Sequence, residues 1–405
     1  MKKIAWICLL TAAVAAGCRQ KKVEATTFAD DLMFLKKHMD VVLLSDARGD
    51  AQVAVCPSLQ GRVMTSTNGN VDGPSFGWIN RDHIHTHKVL PHFNPYGGED
   101  RLWLGPEGGQ FSIFFKRGDP FDLAHWQTPL AVDTDPFGVV SQARDKVVCS
   151  KKMHLKNYSD NEFHLEVSRE VRLLSRDQVK QHLGLAPAER VKVVAYQSDN
   201  KITNTGKEAW TKETGLLSVW ILGMYNASPT NTVVIPFVAG PESKLGPIVN
   251  DTYFGKVPAN RLLIRKDVLY FKADAKYRGK IGVSPARCKS VLGSYDADKK
   301  LLTIVQFNKP KDARDYVNSM WAIQKDPFAG DAINSYSDGP QGPAATQMGQ
   351  FYEMESSSPA AALKPDESLT HVHRIIHLQG PEKDLDPIAK AMLGVSLAEI
   401  KRAFR

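Results

Sequence analysis

The feature that most narrows the fold of this chain is a succession of short apolar runs, separated by turn residues, along nearly its whole length. They include VVLL at 41–44, QVAVC at 52–56, GQFSIFF at 109–115, FHLEVSREVRLL at 163–174, SVWILGMY at 218–225, LLTIVQF at 301–307, FYEMES at 351–356 and HVHRIIHL at 371–378. Gly, Pro, Asn and Asp punctuate them. Runs of this length, rich in β-branched and aromatic residues and bounded by turn formers, read as β-strands. A βαβ architecture would need helical periodicity between the strands, and the sequence has none. The expectation is one large all-β sandwich domain over residues 28–380, with a few peripheral helices.

Three helices are expected. Over residues 28–39, Phe28, Leu32, Leu35 and Met39 keep helical spacing, and Asp30-Asp31 early with Lys36-Lys37-His38 late suit the helix dipole. Residues 175–183 form a second, with Ser175 as its cap. A C-terminal helical extension covers 381–405, where Asp386-Pro387 starts one turn. There Ser396 and Glu399 have capping-box spacing ahead of Ile400 and Phe404.

The first residues are a targeting segment. Lys2-Lys3 precede a short apolar run at 4–16, too short to span a bilayer, which reads as a secretory signal over residues 1–17. Its end, VAAGC at 14–18, resembles the bacterial lipobox. The resemblance implies cleavage before Cys18, lipidation of Cys18 and a polar tether at 18–27. The domain would then be held by acyl chains to a membrane of the bacterial envelope, outside the cytoplasm. Of the remaining cysteines, Cys56, Cys149 and Cys288 are odd in number and allow at most one disulfide. Cys56 and Cys149 lie in apolar runs and are expected as buried thiols.

The net charge is +8, but basic and acidic residues are interspersed and no like-charge run suggests nucleic acid as a partner. There is no Gly-x-Ser-x-Gly elbow and no phosphate-binding glycine loop ahead of a helix, so serine-hydrolase and nucleotide chemistry lack support and no cofactor is expected. The sequence specifies no oligomeric state.

Residues 92–115, HFNPYGGEDRLWLGPEGGQFSIFF, form the candidate site. Two Gly-Gly pairs flank Glu99, Asp100, Arg101, Trp103 and Glu107. A site that hydrogen-bonds and stacks a polar ligand needs such a mixture, whereas a strand does not. Trp103 is assigned to the pocket because its neighbours are charged, and Trp126 and Trp321 to the core. A rival signal is His83, His85 and His87, which would share one face if the segment were a strand. They are the metal-site alternative, for a metal-dependent envelope enzyme. Glu99 and Glu107 as a glycosidase carboxylate pair are a further minor option.

Three segments together resemble the galactose mutarotase-like (aldose 1-epimerase-type) superfamily: QVAVCPSLQGRVMTST at 52–67, the GGEDRLWLGPEGGQF block at 97–111, and FYEMESSSPAAALKPDESLTHVHRIIHL at 351–378. The resemblance spans most of 45–380 and is closer still to an uncharacterised bacterial family of predicted lipoproteins. It implies a supersandwich fold and a carbohydrate ligand. In the superfamily a glutamate takes the anomeric proton, a histidine protonates the ring oxygen, and an Arg and another His hold hydroxyls. Carried over, Glu355 is the base, with Glu353 on the same strand face as its alternative, and Arg101 is the clamp. The stretch at 215–220, where the family has its acid histidine, holds none and ends in Trp220. His92 is then the candidate acid, with His371 and His373 as further candidates on the last strand. Two functions follow: epimerase-type acid–base chemistry on a sugar, or carbohydrate binding by a lipoprotein that has lost the catalytic histidine.

Overall fold

A computed structural model describes residues 26–340 and 347–405. The signal segment 1–17, the lipidation candidate Cys18 and nearly all of the tether lie outside the described residues. Two antiparallel sheets carry the fold. The larger has ten strands. From one edge it runs Leu262–Arg265, Val268–Lys272, Asn231–Pro236, Val291–Asp296 and Leu301–Phe307. It continues through Ser368–Gln379, Lys192–Asn204, Glu162–Leu173 and Lys146–Lys156 to Gly138–Gln142. The smaller has five, in the order Gly279–Val283, Ile333–Ser337, Phe351–Ser357, Ser218–Asn226 and Arg101–Gly105. A third sheet, Val42–Ser45, Gln52–Cys56 and Arg62–Thr67, lies beside them. This is the large all-β sandwich that the strand runs imply.

Side-chain alternation explains why the two large sheets pack. Leu102, Leu104, Val219, Ile221, Ile281, Ile333 and Met354 alternate along the small sheet. They share one buried cluster with Leu165, Val167, Val194, Val305 and Ile375 of the large one. The opposite face of the large sheet is covered by helices. Arg176–Leu183, Glu382–Leu393 and Leu397–Arg402 bury Leu183, Leu385, Ile388, Leu393 and Ile400 against Leu302, Ile304, Ile376 and Leu378. The N-terminal helix Phe28–His38 packs Phe28, Leu32 and Leu35 under the three-stranded sheet. Capping boxes at Ser175 and Ser396 fix two helix starts. The penultimate helix begins at Glu382, ahead of the expected Asp386, and takes Pro387 inside it. No helix among the described residues is long and apolar enough to cross a membrane.

Two segments differ from expectation. Residues 109–115 form turns and bends, not a strand. Ser112 Oγ donates to the Glu107 carbonyl, and the Phe114 N–H to Ser112 Oγ, which curls the chain while Ile113, Phe114 and Phe115 still bury their side chains. His83 and His85 lie not on a strand but on the short helix Arg81–Thr86, capped by Asn80, with His87 at its left-handed C-cap. Cys56, Cys149 and Cys288 are buried free thiols.

A buried polar layer joins the sheets. Arg169 of the large sheet and Asp100 are both fully enclosed and paired at 2.7 Å. The guanidinium also donates to the Asp100 carbonyl, to the Gly61 carbonyl and to Asn200 Oδ1. Arg169 and His373 hold the Asp100 carboxyl below its usual range although burial opposes them. Removing one member of such a pair strands the other charge in a low-dielectric interior. Arg169→Met should therefore cost about 3–5 kcal/mol of stability. The check is urea denaturation: a lower midpoint with an unaltered slope is expected. An unchanged midpoint would show that the pair contributes nothing.

Candidate active site

The small sheet has a second face, turned away from the core. Register puts Arg101 opposite Leu222, Leu222 opposite Glu355, and Glu355 opposite Asn334. The next row places Met224, Glu353, Tyr336 and Lys280 side by side. Trp103 and Trp220 sit opposite each other in a third row. Because side chains alternate, all these residues project from the same face. They floor a cleft of about 600 Å³. Its walls come from loops that bring Phe93, Glu107, Trp126, Tyr253, Trp321 and Asp331 over the sheet.

Backbone freedom at Gly97 and Gly98 makes the floor possible. Both have positive φ, 93° and 114°. A Cβ on Gly97 would run into the Trp78 carbonyl, and one on Gly98 would press against the Arg62 side chain. The next two residues are anchors. The Glu99 carboxylate accepts from Ser66, from Tyr196 at 3.0 Å and from His377, also at 3.0 Å. Asp100 is held by Arg169. Strand geometry then turns Arg101 to the cleft side.

The floor carries two crossed ion pairs. Arg101 Nη2 donates to Glu353 Oε1 at 3.2 Å, and Lys280 Nζ to Glu355 Oε2 at 3.1 Å, each reaching the carboxylate of the neighbouring row. Trp220 Nε1 also donates to Glu355 Oε2, at 2.8 Å. The Arg101 guanidinium lies 4.4 Å over the Trp103 ring and Lys280 4.7 Å over Trp220. Burial, with the Glu355 charge beside it, pushes the Glu353 carboxyl up to about 8 against the pull of Arg101 and Lys280. Burial likewise raises Glu107 to about 7 and Asp331 to about 6. Burial opposes the Lys280 charge, yet Glu355, Glu107 and Glu353 hold its ammonium above the usual range. Asp331 accepts from Tyr253 Oη at 2.6 Å.

Several cleft atoms have no hydrogen-bond partner among the described residues: Arg101 Nε and Nη1, Trp103 Nε1, Trp126 Nε1 and Ser218 Oγ, with Glu355 Oε1 equally unpartnered in the strand row beneath them. Donors and acceptors buried without partners are costly, so a face that gathers this many is set up for a hydroxyl-rich guest or for water.

Of the candidates named from sequence, Arg101, Trp103, Glu107 and Glu353 line the cleft, while Glu355 is fully buried in the strand row beneath it and is not among the lining residues. Glu99, Asp100, His371 and His373 belong to the polar layer between the sheets, where Ser356 Oγ lies within hydrogen-bond distance of both imidazoles. His92 is exposed beside the Trp126 carbonyl and is not among the cleft residues. Trp126 and Trp321, assigned to the core, line the cleft. The metal alternative at His83, His85 and His87 loses its geometry. On the helix His83 and His85 point to different sides: His83 packs on Tyr96, while His85, with His87 from the left-handed C-cap, turns to His38. Lys280, Asp331 and Tyr253 carry no local motif, and only pairing of distant strands and loops reveals them.

A large β-sandwich with an acid- and tryptophan-lined cleft is thus the class of protein at hand. The chain belongs to the family described as "Family of unknown function (DUF6786)", whose model matches residues 26–404. No curated protein matches it. Similar solved structures include a putative aldose 1-epimerase from Escherichia coli K12, at 12% identity over 84% of this chain and 99% of that one, with a TM-score of 0.48. A galactose mutarotase-like protein from Lactobacillus casei has 10% identity over 84% and 100%, with a TM-score of 0.47. A putative mutarotase from Salmonella typhimurium has 9% identity over 85% and 92%, with a TM-score of 0.45. At these identities the similarity concerns the course of the chain and says nothing of its chemistry.

The raised Glu353 pKa has a consequence for stability. Unfolded, this carboxyl loses its proton near the ordinary value of 4.5; folded, it keeps it to about 8. The folded state binds more protons in that window, so this group's contribution to stability falls as pH rises through it. Glu353→Gln should flatten the decline of unfolding free energy between those pH values by about one proton in slope. Urea titrations at stepped pH read this, and parallel curves for the two proteins would contradict the assignment.

Proposed function

We propose that the cleft binds a carbohydrate and that its carboxyl groups exchange protons with it. The observation that carries the reading is the set of polar atoms from Arg101, Trp103, Trp126 and Ser218 that lack partners among the described residues on one tryptophan-walled face, with Glu355 buried directly beneath. A sugar presents hydroxyls around its rim and C–H faces above and below, which suits such a wall. In this reading Arg101 clamps hydroxyls through Nε and Nη1. Glu355, oriented by Lys280 and Trp220, accepts the anomeric proton. Glu107 supplies the acid in place of His92, since burial brings it close to neutral pH, where a group can both hold and release a proton. Glu353 shares the buried charge with Glu355.

A second reading is favoured by Trp220, whose indole occupies a bond on Glu355 in a cleft whose lining includes no histidine. There the protein binds a sugar and leaves it unchanged. A thermal-shift screen of the protein against neutral sugars, uronic acids and oligosaccharides tests both. One class should raise the melting temperature, by the equivalent of about 2.7 kcal/mol at a hundredfold excess over Kd. Arg101→Lys, which keeps charge but loses the planar fork, should weaken that ligand about tenfold. Anomerisation followed by polarimetry then separates the readings. Loss of turnover with retained affinity in Glu355→Gln supports catalysis, and absence of turnover in the unaltered protein leaves binding alone. No shift with any sugar would overturn both.

We further propose that the protein is a lipoprotein of the bacterial envelope. The support is the VAAGC run ending at Cys18 behind Lys2-Lys3 and a short apolar stretch. Acyl chains would then hold the sugar-binding domain at a membrane surface. Cys18→Ala should move the protein from the membrane to the soluble fraction and abolish incorporation of labelled palmitate. Unchanged membrane association would count against the anchor.

A further inference from the structure

Away from the cleft, the hairpin of Lys146–Lys156 and Glu162–Leu173 presents an exposed ladder. Register places Lys152 opposite Glu166 and Lys156 opposite Glu162, the opposite-charge pairing expected across strands. Between these two rungs the pattern breaks: His154 stands opposite His164. Two imidazoles in this position gain nothing from each other's charge, yet their rings lie face to face, with centroids 4.4 Å apart and planes within 11°. Glu162, two residues before His164 and so on the same face, brings Oε2 to 3.4 Å from His154 Nε2. The ligand atoms of all three lie within 4.8 Å of one another. Lys156, although opposite Glu162, makes its close ion pair with Asp160 at 2.9 Å, as does Arg117 at 2.8 Å.

We infer that His154, Glu162 and His164 form a site for a divalent transition-metal ion. Two imidazole nitrogens and one carboxylate oxygen make a borderline donor set, which suits zinc, copper or nickel and not the hard ions calcium and magnesium. Metal–nitrogen and metal–oxygen bonds of about 2.0–2.2 Å require donors closer together than the present envelope, and rotation of exposed side chains supplies that movement. All three residues are exposed, so water completes the coordination. The bound ion would pin the end of the hairpin by linking its two strands. The site is separate from the carbohydrate cleft and stands whether or not that reading holds.

Zinc titration of the full chain by isothermal calorimetry tests the inference. One saturable equivalent per chain is expected. His154→Gln and His164→Gln should each weaken it about tenfold or more, and Glu162→Gln by less. Because the three side chains are exposed, these variants should fold like the parent, which far-UV circular dichroism checks. The exposed histidines around His38 are a competing source of binding, so His87→Gln should leave the equivalent unchanged. The inference is overturned if zinc shows no saturable binding up to about 1 mM. It is also overturned if the His154→Gln/His164→Gln double variant binds like the parent, or if His87→Gln abolishes the equivalent.

Discussion

The enclosed pair of Arg169 and Asp100 is the constraint on which the site depends. One guanidinium ties the large sheet to the turn at Gly61 and to both the backbone and the side chain of Asp100. Asp100 is the residue immediately before the strand Arg101–Gly105, so fixing it fixes where that strand begins. Glu99, held by Ser66, Tyr196 and His377, secures the residue before that. A buried ion pair is weak evidence for net stability, because desolvation offsets most of its Coulombic gain. What this one supplies is register. A strand displaced by a single residue would turn Arg101 and Trp103 into the core and Leu102 and Leu104 into the cleft.

From that fixed strand the cleft follows by pairing. Arg101 and Trp103 meet the central strand Ser218–Asn226, which meets Phe351–Ser357, and the crossed ion pairs form between rows. Two carboxylates and two cations confined in one apolar surround cannot be treated separately. Ionising Glu353 next to Glu355 raises the energy of both, and the nearby Lys280 ammonium answers to Glu355, Glu107 and Glu353 together. A guest that hydrogen-bonds one member shifts the proton affinity of the others.

Much of the fold was legible in the sequence, because strand length, turn residues and capping boxes are local. The alternation of Glu353 and Glu355 also placed both carboxyls on one face correctly, since period two is a property of a strand whatever its neighbours are. Adjacency misled elsewhere. Glu99, Asp100 and Arg101 read as one polar block, yet the first two face the interior layer and the third the cleft. The His83 segment carries strand-like alternation but is short enough for the Asn80 cap to draw it into a helical turn. The run at 109–115 is apolar enough for a strand, but Ser112 binds its own backbone neighbours and diverts it. Lys280, Asp331 and Trp321 were out of reach for another reason. Their meaning comes from partners distant in sequence: Lys280 and Glu355 are 75 positions apart, and Asp331 and Tyr253 78.

The cleft also shows how little separates binding from chemistry here. The clamp, the stacking walls and the carboxylate that could accept a proton serve both readings alike. What differs is the acid. A histidine would change charge near neutral pH with little help from its surroundings, whereas a glutamate must be moved there, and burial of Glu107 moves it to about 7. The same burial that produces this shift costs free energy whenever the carboxylate ionises in an empty cleft, so the interior must compensate elsewhere. Lys280, held in place by its bond to Glu355 and its approach to the Trp220 ring, is the main charge that opposes this rise at Glu107. Glu107, Glu355 and Lys280 are therefore one electrostatic unit. Trp220, standing where a histidine was expected, belongs to that unit as well. Its indole N–H fixes Glu355 Oε2 and leaves Oε1 as the oxygen without a partner among the described residues.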